Sequence, residues 1–273
     1  MNDHYAVIGN PISQTKSPLI HGLYARSCGQ AMHYTALQGP LGRFAETVDA
    51  FRAAGGRGLN VTAPFKMDAC AYATTLSTRA RLAGAVNALK FEGDEVLGDN
   101  FDGMGLVRDV THNLGFALRG KRVLLLGAGG AVRGALLPFI HEHPASLTIA
   151  NRTLSKAVTL AAEVAAHATV NACSYEALAG QPFDLVFNAT SASLRGELPP
   201  VPATAFAPGC LAYELAYGKG LTPFLRLAQA SGAGHLADGV GMLAEQAAEA
   251  FAWWRGTRPD TQAVIAQLTV PLV

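Results

Sequence analysis

Residues 122–139 read RVLLLGAGGAVRGALLPF. A short apolar run ending at Leu126 meets a glycine-rich turn, and apolar residues at helical spacing follow. Buried strand, tight turn and helix start, in that order, make the cradle of a dinucleotide pyrophosphate. Gly127 permits the turn, and Gly129 lets the backbone come close to the anion. Ala128, Gly130 and Ala131 complete the loop, and the helix after it points free N–H groups at the phosphates. Val132 stands at the third glycine position, so the generic motif is incomplete, and a strand–helix turn with no ligand is the bland alternative.

The next expected strand tests this reading. An NAD site needs a carboxylate at its end, roughly 20 residues on, to hold the ribose 2′-hydroxyl. The strand ends SLTIANRT, with Asn151, Arg152 and Thr153 where the acid would stand. A guanidinium grips a 2′-phosphate with paired hydrogen bonds, whereas a carboxylate repels it. The stretch therefore reads as NADP(H). Lys156, one helical turn in, either adds positive charge to the site or is a solvated surface lysine, and Thr153 can also cap the next helix.

Around this loop the chain alternates strands and helices twice. Upstream, the expected strands are HYAVIG, MHYTAL and GLNVTA, with helices between them, and residues 85–99 form a hairpin around a Gly-Asp turn. The stretch from Phe65 to Ala83 reads mostly helical, and residues 103–115 read as a linking helix. Downstream, VLLLG, LTIAN, TVNACS, DLVFNAT, CLAYELA and GHLADG are strands, and two helical stretches close the chain. The fold class is α/β, with mainly parallel sheets covered by helices.

Bulk properties exclude other classes. At 273 residues the chain suits two domains rather than one core. Half the residues are hydrophobic, 15% are charged, the formal net charge is +1, and no basic block suggests nucleic acid. No apolar run reaches membrane-spanning length, and MNDHYAVIGN lacks a signal pattern. Cys28, Cys70, Cys173 and Cys210 are scattered without metal-ligand spacing, so neither a metal nor a disulfide is expected. A cytoplasmic protein acting on a small molecule, as monomer or homodimer, is the expectation.

The first half must then supply a substrate site. Thr15 and Ser17 stand just before a helix start, where hydroxyls and N–H groups suit a carboxylate or polyol. In NVTAPFK, Thr62 and Lys66 follow a strand at its carboxyl end, where open α/β sheets place ligands. Asn87 in GAVNAL and Asp102 in GDNFDG add an amide and a carboxylate. Each has a plain structural alternative: Ser17 as N-cap, Asn87 as turn cap, Asp102 as helix start, Lys66 as a solvated surface charge.

GNPIxxxxSPxIH, NVTxPFK, GAVN, GDNxDG, GAGGA, NRT, NATS, YxxxY and DGxGML occur in this order across nearly the whole chain. The ordered set resembles the shikimate dehydrogenase family, which reduces 3-dehydroshikimate to shikimate with NADPH on the route to chorismate and the aromatic amino acids. The resemblance implies two α/β domains with a cleft between them. Residues 1–103, completed by 238–273, would bind substrate, and residues 104–237 would form a doubly wound Rossmann unit for NADP. It puts the carboxylate-binding hydroxyls on Thr15, Ser17 and Tyr217, the hydroxyl-reading groups on Thr62, Asn87, Asp102 and Gln246, and the catalytic lysine on Lys66. Cofactor contacts fall on Gly127 to Ala131, Asn151 to Lys156, Leu215 and Gly239.

This chain departs from the family pattern in three places. Thr15 stands where serine is common, Phe101 replaces the threonine of GDNTDG, and Lys156 stands where arginine is common. Phe101, beside Asp102, would dry the site or crowd the substrate.

Carbonyl reduction needs a hydride for carbon and a proton for oxygen. Lys66 suits the acid/base role, since an ammonium donates to a developing alkoxide and stabilises its charge. Asp102 is its partner. Two other readings stand beside this one: a quinate/shikimate or amino-shikimate dehydrogenase of broader specificity, and a non-catalytic NADPH-binding sensor.

Overall fold

The computed structural model describes residues 3–273. The first two residues of the expected substrate domain lie outside that range. By internal contacts the chain divides into two compact units, one running through Gly105 and taking in Ala244–Val264, the other comprising Leu106–Leu243 and Ile265–Val273. The change of unit thus falls at Gly105/Leu106 and Leu243/Ala244, two and six residues later than the sequence boundaries at 103/104 and 237/238. The last nine residues count with the second unit, where Leu272 packs against a core cluster.

In the first unit the elements run β1 (Asp3–Gly9), α1 (Ser17–Ser27), β2 (Met32–Gln38), α2 (Phe44–Ala53), β3 (Gly56–Val61), α3 (Lys66–Tyr72), β4 (Thr75–Leu76), α4 (Thr78–Ala83), β5 (Ala88–Glu92), β6 (Glu95–Asp99) and α5 (Asp102–Arg108). Its six-stranded sheet has the order β2-β1-β3-β5-β6-β4. The β1/β2, β1/β3 and β4/β6 pairs are parallel, whereas β3/β5 and β5/β6 are antiparallel. The expected Gly-Asp hairpin is β5–β6, with Glu92 opposite Glu95 and Gly93 at φ +60° as such two-residue turns require.

Phe65–Ala83 is not one helix. Ala73 turns extended, and Thr74 exchanges three hydrogen bonds with Val96 on β6. Ser77 then caps α4 by accepting from the Ala80 N–H at 3.1 Å. Pairing with a neighbouring strand overrides local helix preference here.

The second unit comprises β7 (Arg122–Leu126), α6 (Gly130–His141), β8 (Ser146–Ala150), α7 (Leu154–Glu163), β9 (Asn171–Cys173), β10 (Phe183–Asn188), β11 (Phe206–Glu214), α8 (Pro223–Ala230) and β12 (His235–Asp238). α9 (Val240–Arg255) and α10 (Gln262–Leu268) follow. The expected linking helix is α5, closed by a π-turn over Asp109–Asn113. The second sheet is parallel throughout, in the order β12-β11-β10-β7-β8-β9. Numbered from β7, that is the 3-2-1-4-5-6 order of a doubly wound dinucleotide fold, with its switch point between β7 and β10. Val123, Leu124, Leu125 and Leu126 of β7 are all buried. Helices cover both faces of such a sheet, so the strand is apolar throughout rather than alternating.

Candidate active site

Of the polar residues expected from sequence, the first unit joins Lys66, Asp102, Asn87 and Gln246 in one hydrogen-bonded group and pairs Thr15 with Ser17, whereas Tyr217 belongs to the second unit. β3 ends at Val61, the turn Thr62–Phe65 closes with a 3.0 Å bond from the Phe65 N–H to the Thr62 carbonyl, and Lys66 opens α3. Lys66 Nζ lies 2.5 Å from Asp102 Oδ2, with the two side chains 33% and 16% exposed. Lys66 is therefore neither a free surface charge nor a buried one. Asn87 Nδ2 donates to the other carboxylate oxygen, Asp102 Oδ1, at 2.8 Å, and to Gln246 Oε1 at 3.4 Å.

The Asn87 amide has a defined orientation. Its Oδ1 accepts the Phe101 backbone N–H at 2.9 Å, so only Nδ2 is left to face Asp102. Asn100 Oδ1 accepts the Asp102 backbone N–H at 3.1 Å, and Asn100 Nδ2 donates to the Ala85 carbonyl. The carboxylate is thus held from its backbone and at both oxygens. Close packing of α5 on α9 brings Gln246 in, since a Cβ on Gly105 would lie 2.6 Å from the Gln246 backbone nitrogen.

Thr15 and Ser17 also meet: Thr15 Oγ1 donates to Ser17 Oγ at 3.2 Å and accepts the Ser17 N–H at 3.3 Å. Ser17 is the first residue of α1 and caps nothing with its side chain, so the N-cap reading is replaced by a pair of partly exposed hydroxyls. Tyr34, half-buried, faces Ser17 and donates to Asn60 Oδ1 at 2.6 Å. Asn60 in turn donates to the Asn87 carbonyl at 3.3 Å. Burial pushes the Tyr34 hydroxyl well above its ordinary pKa, so it stays a donor.

Phe101 does not line the site. Its ring is 3% exposed, packs with Tyr5, Ala88, Ala250 and Trp254, stacks edge-on to Trp253 and lies under the Arg79 guanidinium at 4.9 Å. It fills a core position.

In the second unit, Gly127 has φ +110° and a Cβ there would press on the Ala189 carbonyl, so the turn after β7 demands glycine. Gly129 and Gly130 open onto free space, and no side chain caps the N-terminus of α6. Val132, at the third glycine position, is buried in the core beneath α6, which shows that this helix packs without needing glycine there. β8 ends at Ala150, and the exposed Arg152, Thr153 and Lys156 follow, while Asn151 Nδ2 donates to the Thr153 carbonyl. Thr153 precedes α7 without a side-chain cap bond. Ala128 and Ala131 lie in the same loop and first turn. These residues fit an anionic dinucleotide with an extra phosphate: open backbone at the pyrophosphate end, and Arg152 in place of an acid at the ribose end.

Leu215 and Tyr217 lie on the loop after β11, and Gly239 directly follows β12. A Cβ on Gly239 would lie 2.1 Å from the Leu215 carbonyl oxygen, so glycine is required by contact with that loop. Sequence reading passes over Tyr34, Asn60, Asn100 and Glu214. For Asn60, Asn100 and Glu214 the available signal was a polar residue at or near the carboxyl end of a strand; Tyr34, in the middle of β2, carried no such signal.

A doubly wound cofactor fold, together with a lysine–carboxylate pair on a separate α/β unit, defines a nicotinamide-dependent oxidoreductase. Three family models match the chain: "shikimate dehydrogenase substrate binding domain" over residues 7–89, "shikimate / quinate 5-dehydrogenase" over 109–195, and "shikimate 5'-dehydrogenase C-terminal domain" over 239–269. The shikimate dehydrogenase (NADP(+)) of Nitrosospira multiformis is 57% identical over 268 residues, covering 98% of each chain. Among solved structures, an Ael1 enzyme from Pseudomonas putida is 60% identical with TM-score 0.96, covering 100% of both chains. The shikimate 5-dehydrogenase of Thermus thermophilus in complex with NADP(H) and shikimate is 30% identical with TM-score 0.86, covering 97% of both. The chain belongs to the shikimate dehydrogenase family.

Proposed function

We propose that this chain reversibly reduces 3-dehydroshikimate to shikimate with NADPH, a step toward chorismate and the aromatic amino acids. Family membership supports the reaction, and the Lys66–Asp102 pair at 2.5 Å is the observation that carries the mechanism. When bound, NADPH would supply the hydride for the carbonyl carbon. The Lys66 ammonium donates a proton to the carbonyl oxygen as it becomes an alkoxide, and the neutral amine takes that proton back in the reverse direction. Asp102, with both oxygens already holding donors, keeps the lysine aimed and accepts from a substrate hydroxyl. Thr62, Asn87 and Gln246 read the remaining hydroxyls, and Thr15, Ser17 and Tyr217 take the carboxylate.

In this reading the unit containing Lys66 binds substrate and the unit containing Gly127 binds cofactor. Gly127 to Ala131 cradle the pyrophosphate, Asn151, Arg152, Thr153 and Lys156 hold the 2′-phosphate, and Leu215 and Gly239 line the nicotinamide end. The protein acts on a small molecule as monomer or homodimer, without nucleic acid. No helix among the described residues is long and apolar enough to cross a membrane. The four cysteines are free thiols, as in a reducing, cytoplasmic setting.

A rate assay on purified protein, crossing shikimate and quinate with NADP and NAD, tests the reading. Fast turnover of shikimate with NADP alone is expected. Comparable turnover of quinate, which the name of the matched central family model also mentions, would move the protein to the broader-specificity reading. A folded protein inactive with every pair would overturn the assignment and favour an NADPH-binding sensor.

A further inference from the structure

Tyr217 sits between two carboxylates that the reaction does not use. Glu214, at the end of β11, has no exposed surface. Its Oε1 accepts the Ala216 backbone N–H at 3.3 Å. Its Oε2 takes three donors: Asn188 Nδ2 at 2.9 Å, Thr222 Oγ1 at 3.1 Å and the Ser193 hydroxyl. On the other side of Tyr217, Asp238 Oδ2 accepts the Gly218 N–H at 3.1 Å while its Oδ1 accepts the Val240 N–H at 3.2 Å. Gly239, pressed against the Leu215 carbonyl, donates its N–H to the Ala216 carbonyl at 3.4 Å. The backbone is therefore gripped at the residue before Tyr217 and at the residue after it, while the Tyr217 side chain is 41% exposed.

We infer that Glu214 and Asp238 are positioning residues that hold the 215–218 loop so that Tyr217 presents its hydroxyl in one fixed place. This rests on the reading of Tyr217 as a substrate-carboxylate ligand. A loop tip carrying an exposed tyrosine would otherwise sample many conformations, and each productive encounter would pay the entropy of ordering it. Two acceptors at the strand ends remove that term before substrate arrives.

Donor chemistry predicts what a neutral replacement does. Asn188 is locked, since its Oδ1 accepts both the N–H and the hydroxyl of Thr190, so its Nδ2 must meet an acceptor. In Glu214→Gln the amide oxygen therefore stays with Asn188, and the new NH2 faces the Ala216 N–H. In Asp238→Asn, either the Gly218 or the Val240 N–H faces an NH2. Glu214→Gln thus works against the loop in every arrangement, and Asp238→Asn in one of two.

The test measures KM for shikimate, kcat and melting temperature for Glu214→Gln, Asp238→Asn and Tyr217→Phe, and for the two carboxylate variants combined with Tyr217→Phe. Leu160→Ala, a core truncation on α7, controls for lost stability. Glu214→Gln is expected to raise KM by about tenfold, the effect of one lost charge-assisted bond, and Asp238→Asn by less. Neither is expected to raise it further in the Tyr217→Phe background, while Leu160→Ala lowers the melting temperature without moving KM. Unchanged KM in both folded carboxylate variants, or full effects persisting without the tyrosine hydroxyl, would overturn the proposal. Should the wild-type protein turn over no shikimate, the functional reading fails, and hydrogen exchange then judges the brace separately. Protected Ala216 and Gly218 amides that lose protection in the variants support it; amides as fast as open loop in the wild type refute it.

Discussion

Lys66 and Asp102 lie 36 positions apart, yet their charged atoms meet at 2.5 Å. That contact distinguishes Lys66 from a solvated surface lysine. In our reading Lys66→Ala removes the proton donor while leaving the hydroxyl and carboxylate contacts in place. We expect kcat to fall by about 10²–10⁴-fold, with KM for shikimate changing far less. Steady-state kinetics decide it, and near-normal turnover would return Lys66 to an orienting charge. Phe101 teaches the opposite lesson at the same scale. Its neighbour Asp102 faces the site, but the Phe101 ring turns into the packing of Tyr5, Trp253 and Trp254. Adjacent residues in a chain point different ways, and only their packing says which one is exposed to substrate.

At the scale of elements, the strand–turn–helix unit around Gly127 was legible because each of its parts has a local cause. An apolar run covered on both faces makes the strand, and a backbone at φ +110° demands glycine. The end of β8 was legible for a similar reason: an acid is missing and Arg152 stands nearby. If Arg152 grips the 2′-phosphate, Arg152→Ala should raise KM for NADP by about 10- to 100-fold, the range of a lost hydrogen bond to a charged group. KM for NAD should stay within about twofold, since NAD has no phosphate there. Equal loss with both cofactors would assign Arg152 to the fold instead. Less legible was the break between α3 and α4. Thr74 leaves the helical pattern for hydrogen bonds with Val96, 22 positions away, which no local pattern announces.

At the scale of the whole molecule, acid should unfold the protein partly through one histidine. His21 is completely buried, stacked on Tyr34 at 4.2 Å, and neither ring nitrogen has a hydrogen-bond partner. Burial lowers its pKa from 6.5 to about 3. The folded state therefore keeps His21 neutral while the unfolded chain takes up a proton. Its contribution to stability is complete above pH 6.5 and is lost as pH falls from there toward about 3, at about 1.4 kcal/mol per pH unit. Urea unfolding at several pH values, compared with His21→Phe, should show the acid slope reduced by one proton in the variant; equal slopes would mean that His21 is already solvated. By itself, the sequence determined the alternating α/β fold, the glycine-rich strand–turn–helix unit of a dinucleotide fold, and the set of polar residues from which a site is made. Those features follow from local periodicity, from glycine's backbone freedom and from side-chain chemistry. Only the tertiary structure decided that Lys66, Asp102, Asn87 and Gln246 meet, that Phe101 does not join them, and that Glu214 and Asp238 grip the Tyr217 loop. Contacts between distant positions arise when sheet order and helix packing bring strand ends together, and no window of sequence contains that information.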